Sequence, residues 1–255
     1  MYANETLGEA RATATAFVNE ECAVASIRNP PLADFSAARE RLNALDFEES
    51  ELGAVASLRL EEGPRAVIGI AGHKGSGKDT FAKVVTQVLG EDNVAVVKFA
   101  DCLKDMLRTM LRYAGVDAAT IEECFEGDLK EAPAPPLNGA TPRHAMTTLG
   151  TEWGRELIDQ NIWTELTKRH IQTSREYDGK VVLITDVRFH NEARAVKEMG
   201  GELVRVDRTG QEPDLSHPSE QHIPDLPALE VFTNGDLTNF RLNVAGWAWQ
   251  RFLQK

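Results

Sequence analysis

At 255 residues with 42% hydrophobic side chains, the chain can form one α/β domain of ordinary size and suits a soluble globular protein. The 40 Asp and Glu against 28 Lys and Arg give a formal net charge of −12, which argues against a dedicated nucleic-acid binder with its basic face. An anionic small substrate stays open, because a few focused cations outweigh the global field inside a cleft.

Residues 1–64 differ from the rest: they hold no lysine, and their acidic residues far outnumber their five arginines. The stretch "ETLGEARATATAFVNEECAVASI" spaces Leu7, Ala10, Phe17, Ala23, Val24 and Ile27 as a helix does. "NPP" at 29–31 interrupts it, since proline lacks a donor and disfavours helix before it. A second helical stretch follows, closed by "EEGP". The expectation is a helical N-terminal extension over 1–64 that packs or self-associates and carries no chemistry. The opening "MYANETLGEA" shows no secretory signal, and no apolar run is long enough to cross a bilayer as a helix. Cys22, Cys102 and Cys124 lack metal-ligand spacing and read as reduced structural thiols of the cytosol.

From Arg65 onward, β-rich runs at 66–72, 93–100, 180–187, 201–208 and 228–234 alternate with helical patterns. These patterns cover 78–89, 101–114, 142–158, 161–175, 189–199 and 236–253. Strands alternating with helices predict a parallel five-stranded sheet covered on both faces, with one domain over 65–255. "EAPAPPLNGATP" (131–142) reads as a mobile proline-rich loop leading into a helix.

"GHKGSGKDT" (72–80) follows the apolar run "AVIGIA" and opens a helix. Glycines let main-chain NH groups turn inward around phosphate oxygens, and the helix N-terminus adds partial positive charge. The ATP-binding candidates of this loop are Lys74, Gly75, Ser76, Gly77, Lys78, Asp79 and Thr80, with Lys78 reaching the outer phosphates. A carboxylate at Asp79 would repel phosphate unless a cation intervened. It therefore reads as facing magnesium, its water shell or a basic side chain, against the simpler role of complementing the helix N-terminus.

"GHKGSGKDT", "FADCLKD", "TPRHAMTTLGTEWGRELIDQNIW", "ITDVRFHNE" and "NGDL" occur in an order that resembles the phage deoxynucleoside monophosphate kinases, over about residues 65–253. The resemblance implies a P-loop kinase three-layer sandwich that uses ATP and Mg²⁺ to convert deoxynucleoside monophosphates to diphosphates. It implies small-molecule substrates, no membrane or nucleic-acid partner, a homodimer as the assembly to test, and the host cytoplasm if phage-encoded. Animal-type phosphomevalonate kinases share the Gly-Lys-Asp loop and an Asp-x-Arg strand end, so a phosphomevalonate acceptor is the alternative. A P-loop switch or ATPase, and a non-catalytic nucleotide-binding module, are further readings.

On that resemblance Lys78, Arg143, Arg188 and Asp186 are the catalytic candidates, and Asp79, Thr80 and Asp186 the metal candidates. Asp186 and Arg188 emerge together from "VVLITDVR", where an Asp–Arg ion pair closing the sheet edge competes with a site role. The monophosphate side takes Lys104, Asp105, Arg143, Gly150, Thr151 and Arg188. Trp153 and Trp163 are candidates for base stacking, with core packing an equal competitor. Thr141 reads as an N-cap with Pro142 at the first helical position. Arg208, on a strand end before a lid-like segment, and Asn234, in "TNGDL", complete the ATP side. His217 and His222 read as surface or lid histidines.

Overall fold

The computed structural model describes residues 66–174, 177–210, 212 and 218–253; the expected extension over 1–64 lies outside the described residues, as do Cys22 and His217. Five strands, β1 (Ala66–Ala71), β2 (Val94–Val97), β3 (Val181–Val187), β4 (Glu202–Arg208) and β5 (Glu230–Asn234), form one sheet in the order β2-β3-β1-β4-β5. Every neighbouring pair is parallel. The near-continuous apolar runs of β1 and β3 follow from this, because a central parallel strand is covered on both sides.

Successive residues point to opposite faces, so each strand feeds two cores. Ile68, Ile70, Val181 and Leu183 pack with Phe81, Val85 and Leu89 of α1 (Lys78–Leu89) and Phe240, Val244 and Ala248 of α8 (Leu237–Phe252). Val67, Ala71, Val182 and Ile184 pack with Ile171 of α5 (Ile162–Thr173) and Ala193 and Val196 of α6 (His190–Glu198). The result is the three-layer α/β sandwich of the P-loop kinase fold.

A third core belongs to a helical cap. Leu103, Leu107 and Leu111 of α2 (Asp101–Tyr113) meet Ile121, Cys124 and Phe125 of α3 (Ala118–Phe125) and the buried Trp163. The helix α3 was absent from the sequence expectation, although Asp117 caps it by accepting the Thr120 NH at 3.0 Å.

Three segments depart from expectation. The strand read over 93–100 ends at Val97, because the NH groups of Phe99 and Ala100 leave the ladder for the Asp186 carboxylate, at 2.8 and 3.1 Å. The helix read over 142–158 is α4 (Pro142–Thr148) followed by a π-helical stretch, Leu149–Ile158. Its wider winding makes room for Trp163, whose indole NH donates to the Gly150 carbonyl at 2.8 Å and whose ring lies against Gly154. The proline-rich stretch is a folded turn rather than an open loop. Short 3₁₀ helices at Asp128–Glu131 and Pro135–Leu137 lead to a reversal at Asn138 (φ 53°), closed by Ala134 NH to Ala140 O at 3.0 Å. Thr141 does cap α4, accepting the His144 NH at 3.1 Å.

No helix among the described residues is long and apolar enough to cross a membrane. Cys102 and the buried Cys124 are free thiols whose pKa is raised first by burial.

Candidate active site

The loop 72–77 joins β1 to α1. Gly72 (φ 151°) could carry no side chain, since a Cβ would fall 2.5 Å from the Val206 carbonyl and 2.6 Å from Ser76 Oγ. Gly77 (φ 112°) stands at the helix N-terminus, where a Cβ would fall 2.6 Å from Asn234 Nδ2. Helix geometry leaves the first NH groups of α1 without intrahelical acceptors, so they are available to an anion. Lys78 is buried, and its ammonium donates to the Gly72 and His73 carbonyls at 2.6 and 2.7 Å. Burial, and then the nearby Arg188, lower its pKa to about 8. Ser76 Oγ is buried with no hydrogen-bond partner among the described residues. Lys74, Gly75 and Asp79 are exposed and Thr80 half-buried.

The end of β3 delivers the second group. Asp186 accepts two NH groups from the turn into α2, so it fixes the start of the helical cap; burial raises its pKa. Arg188 follows, with its main-chain NH bonded to Glu192 Oε2 at 2.7 Å and its guanidinium on Glu220 Oε1. Glu192 is buried at the first turn of α6 and also receives Arg155 Nη2 at 2.7 Å. Burial, and then Asp186, push its pKa up to about 6. Arg155 lies over the Phe189 ring at 4.2 Å, tying the π-helical stretch to the strand end that carries Arg188.

The helical cap holds the monophosphate-side candidates. Lys104 is buried and bonds Glu126 Oε1 at 2.5 Å, whereas Asp105 is exposed and pairs with Arg108 at 3.2 Å. Arg143 is exposed and bonds Glu131 at 2.8 Å. Burial, and then the charges of Arg143, Lys104 and Lys98, lower the Lys130 pKa, against an upward pull from Glu126. Cations gathered in this way favour a bound anion. The Glu131 pKa is lowered by its bond to Arg143, with a further pull from Lys74 of the phosphate loop. Gly150 is buried and Thr151 exposed. Trp163, 2% exposed, is a core residue and offers no open face to a base, while Trp153 is 39% exposed with its ring 6.3 Å from it.

At the other rim, Asn234 donates to the Ser76 carbonyl at 2.9 Å and Arg208 to the Gly75 carbonyl at 3.1 Å. Both therefore brace the outside of the phosphate loop. Arg205 pairs with Asp207 at 3.0 Å, and with His73, Ser76, Arg208 and Ile223 they line an open pocket beside it. His222 is exposed, with its ring 5.9 Å from that of His190.

Glu220, Glu192, Arg155, Glu126, Glu131, Lys98 and Lys130 escaped the sequence reading. Glu192 had a signal, standing three residues after Phe189 in "FHNE", where an N3 glutamate reaches back to the start of a helix. Glu220 had none.

The fold and loop define a phosphate-binding α/β kinase architecture. A family model described as deoxynucleotide monophosphate kinase matches residues 136–241. A protein of Acanthamoeba polyphaga mimivirus, provisionally named a deoxynucleotide monophosphate kinase, is 32% identical over 175 residues, 65% of this chain and 86% of that protein. The deoxynucleoside-5'-monophosphate kinase of Escherichia phage T5 is 36% identical over 113 residues, 41% of this chain and 44% of its own length. The chain belongs to the deoxynucleotide monophosphate kinase family.

Proposed function

We propose that the chain transfers the terminal phosphoryl group of ATP to the 5′-phosphate of a deoxynucleoside monophosphate. What supports this reading is the electrostatic proximity of its cations: Arg188, from the strand beside β1, acts on Lys78 of the phosphate loop, Arg143, Lys104 and Lys98 act on Lys130, and Lys74 of the loop acts on Glu131 of the cap. Two phosphate groups facing each other repel, and cations on both sides of the transfer offset that repulsion. No observation favours the phosphomevalonate acceptor.

The loop amides and Lys78 hold the outer ATP phosphates. Lys104, Lys130 and Arg143 hold the acceptor phosphate, exchanging Glu126 and Glu131 for it. Arg188 stands between them and takes up negative charge as it develops. With a second pKa near 6, the acceptor phosphate is already ionised near neutral pH and needs no strong base. Asp79, Thr80 and Asp186 offer the hard oxygen donors that suit Mg²⁺. Nucleotide phosphates and water complete such a shell, so a three-ligand protein cage is not required, and none occurs among the described residues. When bound, the ion neutralises charge between the outer phosphates. ATP and the monophosphate are the partners of this reading; the resemblance adds a homodimer as the assembly to test and a cytoplasmic location, that of the host if the chain is phage-encoded.

A panel of the common dNMPs and NMPs with ATP tests it by coupled ADP release: ADP appears only when a monophosphate is present. Steady acceptor-independent hydrolysis contradicts the reading.

Lys78 gives a second test. Its ammonium in the nucleotide-free protein deprotonates near pH 8, and ATP requires it charged. ATP affinity therefore falls above pH 8, approaching about tenfold per pH unit, with a proton taken up on binding. Calorimetry in two buffers of different ionisation enthalpy at pH 9 detects this uptake. Lys78→Arg removes it, and wild-type binding without uptake refutes the assignment.

A further inference from the structure

Glu220 belongs to the short helix α7 (Pro218–Gln221) and is buried, yet its carboxylate serves neither the sheet nor the cap. Its partners are remote in sequence. Oε1 accepts the Arg188 guanidinium; Oε2 accepts the Lys74 main-chain NH at 3.2 Å and lies 3.0 Å from His73 Nδ1. An ionised carboxylate only accepts, so Nδ1 carries the proton in that contact. Burial works against ionisation, but Arg188, His73 and the Lys74 NH together hold the pKa below the ordinary glutamate value.

A carboxylate withdrawn from water is costly unless its oxygens are well matched by donors. Here two of the donors come from the first limb of the phosphate loop, the His73 ring and the Lys74 main-chain NH, and the third is the Arg188 guanidinium assigned above to the transferring phosphoryl group. The geometry also completes a pattern. Glu192 fixes Arg188 at its main-chain NH, but a guanidinium on a flexible stem is not placed by its backbone alone. Glu220 fixes the other end.

We propose that Glu220 is a positioning residue for phosphoryl transfer, holding the Arg188 guanidinium in register with the His73–Lys74 limb of the phosphate loop. The proposal rests on the kinase reading. It differs from a purely structural tie, because its effect must pass through Arg188.

The test is a double-mutant cycle on the full chain, with ATP and the best dNMP. Glu220→Gln keeps shape and loses charge; kcat falls by about 10²-fold, the scale of a misplacement near 1 Å, while KM for ATP changes little. Glu220→Asp keeps the charge and restores part of kcat, and it carries the same comparison should the buried amide impair folding. In an Arg188→Ala background Glu220→Gln costs less than about 2-fold more, since residues acting as one unit are non-additive. Equal losses in both backgrounds overturn the proposal. So does an unchanged kcat in Glu220→Gln, or tighter ATP binding with faster acceptor-free hydrolysis, which would make the carboxylate an obstruction. A wild-type chain without acceptor-dependent ADP release refutes the kinase reading and this role together. Normal wild-type turnover matched by Glu220→Gln refutes this role alone.

Discussion

Lys78→Ala and Arg188→Ala each lower kcat by about 10³-fold or more, the range that a single cation on a transferring phosphoryl group commands. On the proposed assignment the two approach the same charge from different elements. Lys78 leaves the first turn of α1 directly behind the loop, and Arg188 leaves the end of β3, the parallel neighbour of β1. The fold survives both changes. Lys78→Ala removes two hydrogen bonds to loop carbonyls, a cost of about 1–3 kcal/mol. Single-turnover rates with circular dichroism of each variant check the result. Retained turnover in both contradicts their assignment.

Trp163→Ala destabilises the protein by about 3–5 kcal/mol, the cost of emptying a large aromatic site. The side chain lies at the junction of three pieces: its ring fills the cap core, its face rests on Gly154, and its indole NH satisfies the Gly150 carbonyl. Trp163→Phe retains much of the ring volume and loses the hydrogen bond, at about 1 kcal/mol plus a small packing defect. Trp153→Ala, at a more exposed position, costs far less. Denaturant midpoints of the three variants give the ranking, and equal losses for Trp153→Ala and Trp163→Ala contradict it.

The strands and the phosphate loop were legible because their signals are local. "AVIGIA" is apolar at every position and "GHKGSGKDT" needs its glycines for backbone reasons that any reader of the chain can see. Thr141 and Pro142 announced α4 in the same way. What stayed hidden depends on partners far apart in sequence. Nothing around Gly150 says that a tryptophan thirteen residues later will claim its carbonyl and widen the helix between them. The same holds for Asp186, whose part in ending β2 appears only once Phe99 and Ala100 stand beside it. Trp163 could not be assigned between base and core by composition, because an indole suits either; burial decides it. Glu220 sits 146 residues from Lys74, in a segment without periodicity, and only the folded chain brings them together.

The separate core of the helical cap has an evolutionary corollary. Leu103, Leu107, Phe125 and Trp163 pack among themselves and not among the strands, so if the cap receives the acceptor as proposed, substitutions that reshape that pocket perturb a different packing unit from the one beneath the phosphate loop. Descendants of such a chain are free to drift in which acceptor they admit while the chemistry of transfer is inherited intact.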